Sequence, residues 1–452
     1  MQLVGLVLAF VVILVLVGRR VNLAACLAVG TLILAAASLM PPRELALSVF
    51  RGLTKPESVE LILDVAAITS LAGVLKRYGL LDTMVRSVSV LLGGARLAIM
   101  AVPSLIGTMP VLGGAIISAP MVDGLGDRLG LGPTRKATVN LVFRHAWFFV
   151  APFSPSLVLA AKLAGVPLGG IILHQVPYTA AVLAAGYLFL LAGAGKAAAS
   201  RRRSTAGPGD ETADNRGTAS AARASAAVGR ETAEGRETAA VGTDPLWKSP
   251  RHAVGPFIRS VSPLAVGVVL SLGLGGVSLP LYLSVGLGLV LALYLSRRHP
   301  DFRSLGLPTA VRSIQWRIVV TMASVMVFGQ VMEDSGTAAA LVQRLAGSGL
   351  PTWVLVVALP LLVGYVAGAP AVPVGVSFPV LMPLALPGHS VALASALYCV
   401  GFTAYFVSPL HLCQVLSSQY FGVTIPRLYR DYWPVAAVLA ALGALYVRLA
   451  LV

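Results

Sequence analysis

Charge is scarce in this chain of 452 residues, and acidic charge is scarcest. Only 12% of positions are Asp, Glu, Lys or Arg, with 18 acidic residues against 34 basic ones. Meanwhile 57% of positions are hydrophobic and the mean hydropathy is +0.85. No soluble domain of this length can hide that much apolar surface, which makes the chain a polytopic membrane protein. Cysteine is nearly missing. Cys26, Cys399 and Cys413 all stand in apolar runs, where they read as small core residues and not as a disulfide frame or metal site. Enzyme signatures are missing as well: no P-loop, no HExxH and no nucleophile elbow. Gly273-Leu274-Gly275-Gly276 has no following helix start to hold a phosphate, so it is no nucleotide loop. No catalytic residue, metal or organic cofactor is expected. The net charge of +16 raises nucleic acid as a partner, but the Lys and Arg residues flank apolar runs as cytoplasmic ends do, so no nucleic acid is expected.

What is present is interruption. Leu97 onward reads LAIMAVPSLIGTMPVLGGAIISAPMV, and after a polar turn comes TVNLVFRHAWFFVAPFSPSL. Pro103, Pro110, Gly113-Gly114, Pro120, Pro152 and Ser154-Pro155 break this stretch. In lipid, backbone groups freed by a break survive only inside protein or around a wet cavity. The reading is a re-entrant hairpin over 97–125, with its tip near Gly113-Gly114-Ala115, then a helix over 137–163 broken at Ser154-Pro155.

The same grammar returns about 257 residues later. Trp353 onward reads WVLVVALPLLVGYVAGAPAVPVGVSFPVLMPL, followed by VALASALYCVGFTAYFVSPL. Gly368-Ala369-Pro370 stands for the first tip, and Ser408-Pro409 for the first Ser-Pro break. Gly79 and Gly336, Gly165-Val166 and Gly422-Val423, and Pro177 and Pro434 are each 257 apart. The Ser-Pro pairs are 254 apart, which places about three extra residues after the second break. Matching Gly/Pro-interrupted segments in two halves point to a transporter site.

In chain order, spans are expected over 3–17, 22–40, 57–75, the broken 137–163, and 168–193. The run 3–17 resembles a signal h-region, but without a basic n-region or a small-residue cleavage site it reads as the first span. Thr54 with Glu57 has capping-box spacing at the start of the third span. The stretch 80–95 reads as amphipathic. Residues 196–250 are rich in Ala, Gly, Thr, Arg and Glu, with almost no large apolar residue. Such a segment cannot offset chain entropy by burial and reads as a disordered linker. Spans follow over 257–275, 279–296 and 314–332, then a hairpin over 352–388, a helix over 390–420 broken at Ser408-Pro409, and a last span over 431–450. Glu333-Asp334 reads as a solvated outer cap. The division is 1–195, the linker 196–250, and 251–452.

With the N-terminus outside, Arg19-Arg20, Lys76-Arg77, Arg86, Arg96, Arg128, Arg135, Lys136, Arg297-Arg298, Arg303, Arg312, Arg317, Arg427, Arg430 and the linker all lie inside. That asymmetry sets both termini outside. Five spans per half is odd, so the second half enters the bilayer inverted. The fold class is thus an all-α polytopic membrane protein of two inverted repeats, each with five spans, a re-entrant hairpin and a broken helix.

A broken helix offers free N–H groups that suit carboxylates or oxyanions, and free C=O groups that suit Na⁺. The candidate substrate and ion site is Gly113, Gly114, Ala115, Ser154, Pro155, Ser156, Gly368, Ala369, Pro370, Ser408 and Pro409. Thr108, Ser118, Ser377 and Thr403 could add hydroxyls. Packing glycines and prolines are the plainer alternative. Ionisable groups within spans mark function. Asp64 could carry a coupling proton or Na⁺, although its counterpart at 257 residues is Thr321. Asn140, Arg144 and His145 precede the first break. Arg144 either complements an anionic substrate or snorkels to the cytoplasmic face. His145, His174 and His411 are proton-relay candidates.

The runs PVLGGAIISAPMVDGLGDRLGL and KATVNLVFRHAWFFVAPFSPSLVLAAKLAGVP closely resemble an integral-membrane family known as a domain of unknown function. The two-hairpin plan is similar to the ion-transporter superfamily of divalent-anion/sodium symporters, citrate and gluconate carriers, arsenite exporters and sodium/proton antiporters. That resemblance implies a scaffold with a mobile transport unit, elevator-like movement and a homodimer. The tips read Gly-Gly-Ala and Gly-Ala-Pro where sodium-dicarboxylate members carry Ser-Asn-Thr. The expected function is ion-coupled secondary transport of a small organic anion by alternating access in the plasma membrane, with Na⁺ or H⁺ as coupling ion. A cation/proton antiporter on the same scaffold is the alternative. A single cysteine placed within 196–250 is expected to react with a membrane-impermeant reagent only from the cytoplasmic side. Labelling from outside would reverse the orientation.

Overall fold

The protein is described by a computed structural model over residues 2–19, 21–110, 114–194, 250–273, 279–300, 302–337, 339–340, 343–344, 351–366 and 368–451. Gly113 and almost all of the 196–250 segment lie outside the described residues. The first half runs α1 (Gln2–Gly18), α2 (Leu23–Ala37), α3 (Pro42–Thr54), α4 (Pro56–Arg77), α5 (Leu80–Leu91), α6 (Ala95–Gly107), α7 (Gly114–Arg128) and α8 (Pro133–His145). A 3₁₀ turn (Ala146–Phe149) precedes α9 (Pro155–Ala164) and α10 (Leu168–Gly186), which ends in a π turn (Tyr187–Leu191). The second half runs α11 (Pro250–Ser271), α12 (Leu281–Ser296), α13 (Phe302–Arg312), α14 (Trp316–Asp334), α15 (Thr352–Val366), α16 (Ala371–Leu381), α17 (Ser390–Val407), α18 (Leu412–Tyr420) and α19 (Ile425–Leu451). The described residues contain no strand.

Proline sets many of these starts. Pro42, Pro56, Pro133 and Pro155 each occupy the first turn of their helices, where the missing N–H costs nothing and φ is already helical. The expected capping box at Thr54 and Glu57 does not form. Thr54 closes α3 and its hydroxyl donates to the Phe50 carbonyl at 2.8 Å. The cap of α4 is Lys55, without a side-chain bond, because Pro56 already opens the helix. Nor is Asp334 a bare solvated cap: it pairs with Arg51 at 3.1 Å and accepts from Gln330 at 3.0 Å.

The later elements of the two halves correspond. Helices α7 and α16 start at 114 and 371, α8 and α17 at 133 and 390, α9 and α18 at 155 and 412, and α10 and α19 at 168 and 425. Each pair is 257 apart. Gly79 and Gly336 take left-handed φ of 68° and 70°, and Gly165 and Gly422 take 63° and 64°. Only glycine adopts this conformation without a steric penalty.

Early elements of the two halves pack on one another: α2 and α3 on α14, α4 on α12 and α14, and α5 on α11. The late elements make a second group. Here α8 and α10 pack on α19, α9 packs on α16 and α17, and α18 packs on α7 and α8. Among the described residues, five helical stretches are long and apolar enough to cross a membrane: Pro56–Arg77, Leu168–Leu191, Pro250–Ser271, Ser390–Tyr420 and Ile425–Leu451. Several more apolar helices are shorter. The helix pairs α6–α7 and α15–α16 stand where hairpins are expected. Of the residues expected at the first tip, Gly114 and Ala115 belong to α7, and Gly113 lies outside the described residues.

Close approach between helices α15 and α17 depends on Gly364. A Cβ there would run into the backbone oxygen of Gly401 and into Ala404. Gly364→Val is therefore expected to lower stability by about 1–3 kcal/mol or more, read as a fall in thermal unfolding temperature. A Cβ on Gly286, in α12, would meet nothing within 4 Å, so Gly286→Ala should be neutral or stabilising by up to about 1 kcal/mol.

Candidate functional site

The first interruption follows α8. That helix begins at Pro133 beside a charged lock: Lys136 donates to Asp123 at 2.5 Å and to Asp127 at 2.6 Å. Burial works against the Lys136 ammonium, but these hydrogen bonds outweigh it and hold its pKa above the ordinary value. The lock fastens the foot of α7 to the foot of α8. One turn further on, Asn140 clamps the same two helices. Its carboxamide oxygen accepts from Ser118 at 2.6 Å, and its nitrogen donates to the Ala115 carbonyl at 2.9 Å and to Ser417 of α18 at 3.2 Å. Asn140 of α8 thus joins α7 of the first half to α18 of the second.

Arg144 comes one turn later and is only 4% exposed. It does not snorkel. Its guanidinium lies where a side chain on Gly114 would be, so a larger residue at that first position of α7 would displace the Arg144 tip. Nε and Nη1 have no hydrogen-bond partner, and no carboxylate pairs with Arg144 among the described residues. The guanidinium therefore faces a helix start, where N–H groups lack intrahelical acceptors.

His145 ends α8, and His411 caps α18 in the second half. Their Nε2 atoms are 3.0 Å apart and the rings stand at 89°. His145 Nδ1 faces the Leu141 carbonyl at 2.7 Å, and His411 Nδ1 the Phe406 carbonyl at 3.2 Å. Phe148 stacks on His145 at 5.1 Å, and the Tyr405 ring lies 4.3 Å from His411. Cys413 brings its sulfur into the same neighbourhood, so three ligand-type atoms lie within 4.8 Å of one another. Two imidazole nitrogens bound to one tetrahedral ion at about 2.0–2.1 Å would stand about 3.3 Å apart. The observed 3.0 Å is a hydrogen-bond distance.

The Ser-Pro pairs prove not to be equivalent. Ser154 caps the start of α9, whereas Ser408 closes α17. At the 257-residue offset shared by the helices, the counterpart of Ser154 is His411, the cap of α18. The three-residue difference lies before the second helix piece, because α17 runs on to Val407 while α8 stops at His145. Ser154 and Ser156 are linked at 3.0 Å, Ser156 and Tyr398 at 3.1 Å, and the Tyr398 hydroxyl donates to the Phe148 carbonyl at 2.9 Å. This relay ties the first break to α17. Ser408 donates to the Tyr365 carbonyl at 2.5 Å and accepts from the Leu410 N–H at 3.2 Å. A Cβ on Gly368 would stand 3.3 Å from the Leu410 oxygen, so the second tip abuts the second break. Pro155 and Ser156 open α9, Pro370 precedes α16, and Ala369 and Pro409 lie in the turns.

Other candidates stand apart or are occupied. Asp64 is buried in α4 with Oδ1 unpartnered and makes no ion pair or hydrogen bond with Arg144, His145 or His411. Thr108 and Thr403 bond backward to the Leu105 and Cys399 carbonyls, while the Ser377 hydroxyl is buried without a partner. The His174 ring packs against Tyr446. Sequence reasoning missed Tyr398, Phe402 and Tyr405. Their i, i+4, i+7 spacing places them on one face of α17, a detectable aromatic stripe. Gln414, held by the Tyr432 hydroxyl at 2.7 Å, gave no signal.

Interrupted helices thus stand at matching positions of two corresponding halves, inside an all-helical apolar body. The fold is similar to the crystal structure of the Alcanivorax borkumensis YdaH transporter, which is described as having an unusual topology. The TM-score is 0.56 at 14% identity, covering 91% of this chain and 89% of that one. The chain belongs to the family described as protein of unknown function (DUF401), which matches residues 2–206 and 240–450. No curated protein matches the chain.

Removing the Asn140 clamp leaves Ser118 and Ser417 without that partner. Asn140→Leu is expected to cost about 1–3 kcal/mol, seen as a lower unfolding temperature of the purified protein. An unchanged temperature would mean that α7, α8 and α18 are held by packing alone.

Proposed function

We propose that the chain is an ion-coupled secondary transporter of a small organic anion, working by alternating access. One observation carries this reading: the buried Arg144, with two guanidinium nitrogens lacking partners, is set against the first residue of α7. A buried unpaired cation is costly, so such groups face a counter-charge. An anion at this place would meet Arg144 and the positive end of α7 together.

The two helix groups suit a scaffold and a moving unit. Helices α6 and α16 have 13 and 11 residues, and at 1.5 Å per residue they reach about 20 and 17 Å, short of a bilayer core of about 30 Å. That supports re-entrant hairpins. Inverted halves, a homodimer, termini outside and elevator-like movement belong to the same proposal. The likeness to the YdaH transporter supports transport but names no substrate here.

The antiporter reading keeps one specific support, the buried Asp64 with its unpartnered Oδ1. Thermal stability of the purified protein separates the two. The panel is succinate, citrate, gluconate, phosphate and sulfate, each with Na⁺ or K⁺ and across pH. A ligand at about 100 times its Kd adds about 2.7 kcal/mol to the native state. At least one organic anion is expected to raise the unfolding temperature of the wild type and not that of Arg144→Gln. Equal stabilisation of both proteins would remove Arg144 from the site. Response to Na⁺ and pH alone, lost in Asp64→Asn, would establish the antiporter.

A further inference from the structure

The His145–His411 contact is one that two neutral imidazoles cannot make well. Each Nδ1 faces a carbonyl oxygen, Leu141 at 2.7 Å and Phe406 at 3.2 Å. A carbonyl only accepts, so each Nδ1 carries its ring's hydrogen, and a neutral imidazole has no second one. Both Nε2 atoms are then bare lone pairs, and they face each other at 3.0 Å. An electrophile belongs between them.

Three kinds are available. A hard cation such as Na⁺ seeks oxygen ligands, and two imidazole nitrogens are a poor cradle for it. A divalent transition metal would spread the nitrogens to about 3.3 Å and would add two charges beside a guanidinium that has no carboxylate partner. A proton needs an N–H···N distance near 3.0 Å and adds one charge.

We propose that His145 and His411 hold one proton between them, and that this proton is the ion coupled to movement of the anion, an inference that rests on the anion reading above. The proton comes from water, bonds to one Nε2 and is accepted as a hydrogen bond by the other. It returns to water when the pair opens, and nothing is oxidised or reduced. The pair joins α8 of the first half to the cap of α18 in the second, so it can exist only while the two breaks meet.

The groups facing the pair define its electrostatics. Arg144 is next in the chain on α8. From α17 come the Tyr405 hydroxyl-bearing ring and the apolar Phe402 and Phe406. From α18 comes the Cys413 thiol. Behind α18, Tyr432 of α19 is held by Gln414 and packs on Phe406. Phe148 closes the remaining side. No carboxylate pairs with either imidazole among the described residues. The fixed charge nearby is therefore the Arg144 cation, which opposes the proton while the site is empty. An anion on Arg144 reverses that opposition. By linkage, the proton must strengthen anion binding by the same factor. Proton and anion thus bind together, which is the thermodynamic basis of symport.

The test uses full-length protein labelled with ¹⁵N-histidine in lipid nanodiscs, titrated between pH 8 and the acid limit of its folded state. Imidazole ¹⁵N shifts distinguish bare, protonated and shared nitrogens. The expected result is one proton taken up by the pair in a single event, with both Nε2 signals moving together. A stabilising anion from the panel should raise the midpoint by about one pH unit, and anion affinity should change about tenfold per pH unit between the two midpoints. His411→Gln keeps an N–H to donate to His145 Nε2 and should fold, yet lose the shared uptake; His145→Gln should do the same. Two imidazoles that titrate separately, or stay neutral throughout with or without anion, would overturn the proposal. So would one zinc per chain by elemental analysis. A shared proton with every anion silent would support the site and fail the anion reading instead.

Discussion

A backbone group without a partner is what a membrane interior does not tolerate, and the rest of this structure depends on that constraint. Each interrupted helix leaves N–H and C=O groups that a continuous helix would have satisfied. The protein meets the demand by pointing its interruptions at one another. Helix α9 packs on α16 and α17, and α18 packs on α7 and α8, so each loose end lies against the opposite half. Ser408, Ser156 and Tyr398 then supply side-chain partners to carbonyl and hydroxyl groups in that shared interior.

The same interior admits charge sparingly. Arg144 lies where a Gly114 side chain would be, and the α7–α8 contact is fastened over the two preceding turns of α8 by Lys136 and Asn140. A frame fastened in this way sets the orientation of the Arg144 side chain. The aromatic face of α17 adds a low-polarity wall that keeps the neighbouring imidazoles from water.

Much of this was legible in the residues. Composition established a polytopic membrane protein, and matched glycines and prolines revealed the duplication. Gly165 and Gly422 announced helix ends by a backbone conformation that few other residues adopt. What failed was register at the breaks. Ser-Pro looked like a repeated unit, yet one copy opens a helix and the other closes one; the true counterpart of Ser154 is His411. Two like dipeptides are a weaker guide than helix starts, because an irregular turn can absorb three residues while the helices it joins keep their places. Pairing across the halves was illegible for a different reason. Periodicity tells which side of a helix is buried but not what it meets, so Arg144 could not be placed between the ligand-facing and snorkelling alternatives, and His145 and His411, 266 residues apart, could not be seen as neighbours.

The crossing of α9 onto α16 and of α18 onto α7 has a consequence for biogenesis. When the first half has been threaded into the bilayer, α7 and α9 have no counterpart to lie against, because residues 371–420 have yet to be synthesised. The insertion machinery must therefore hold two short, imperfect helices in a half-finished state, with the buried cation already among them. The core can close only once α16, α17 and α18 have been synthesised.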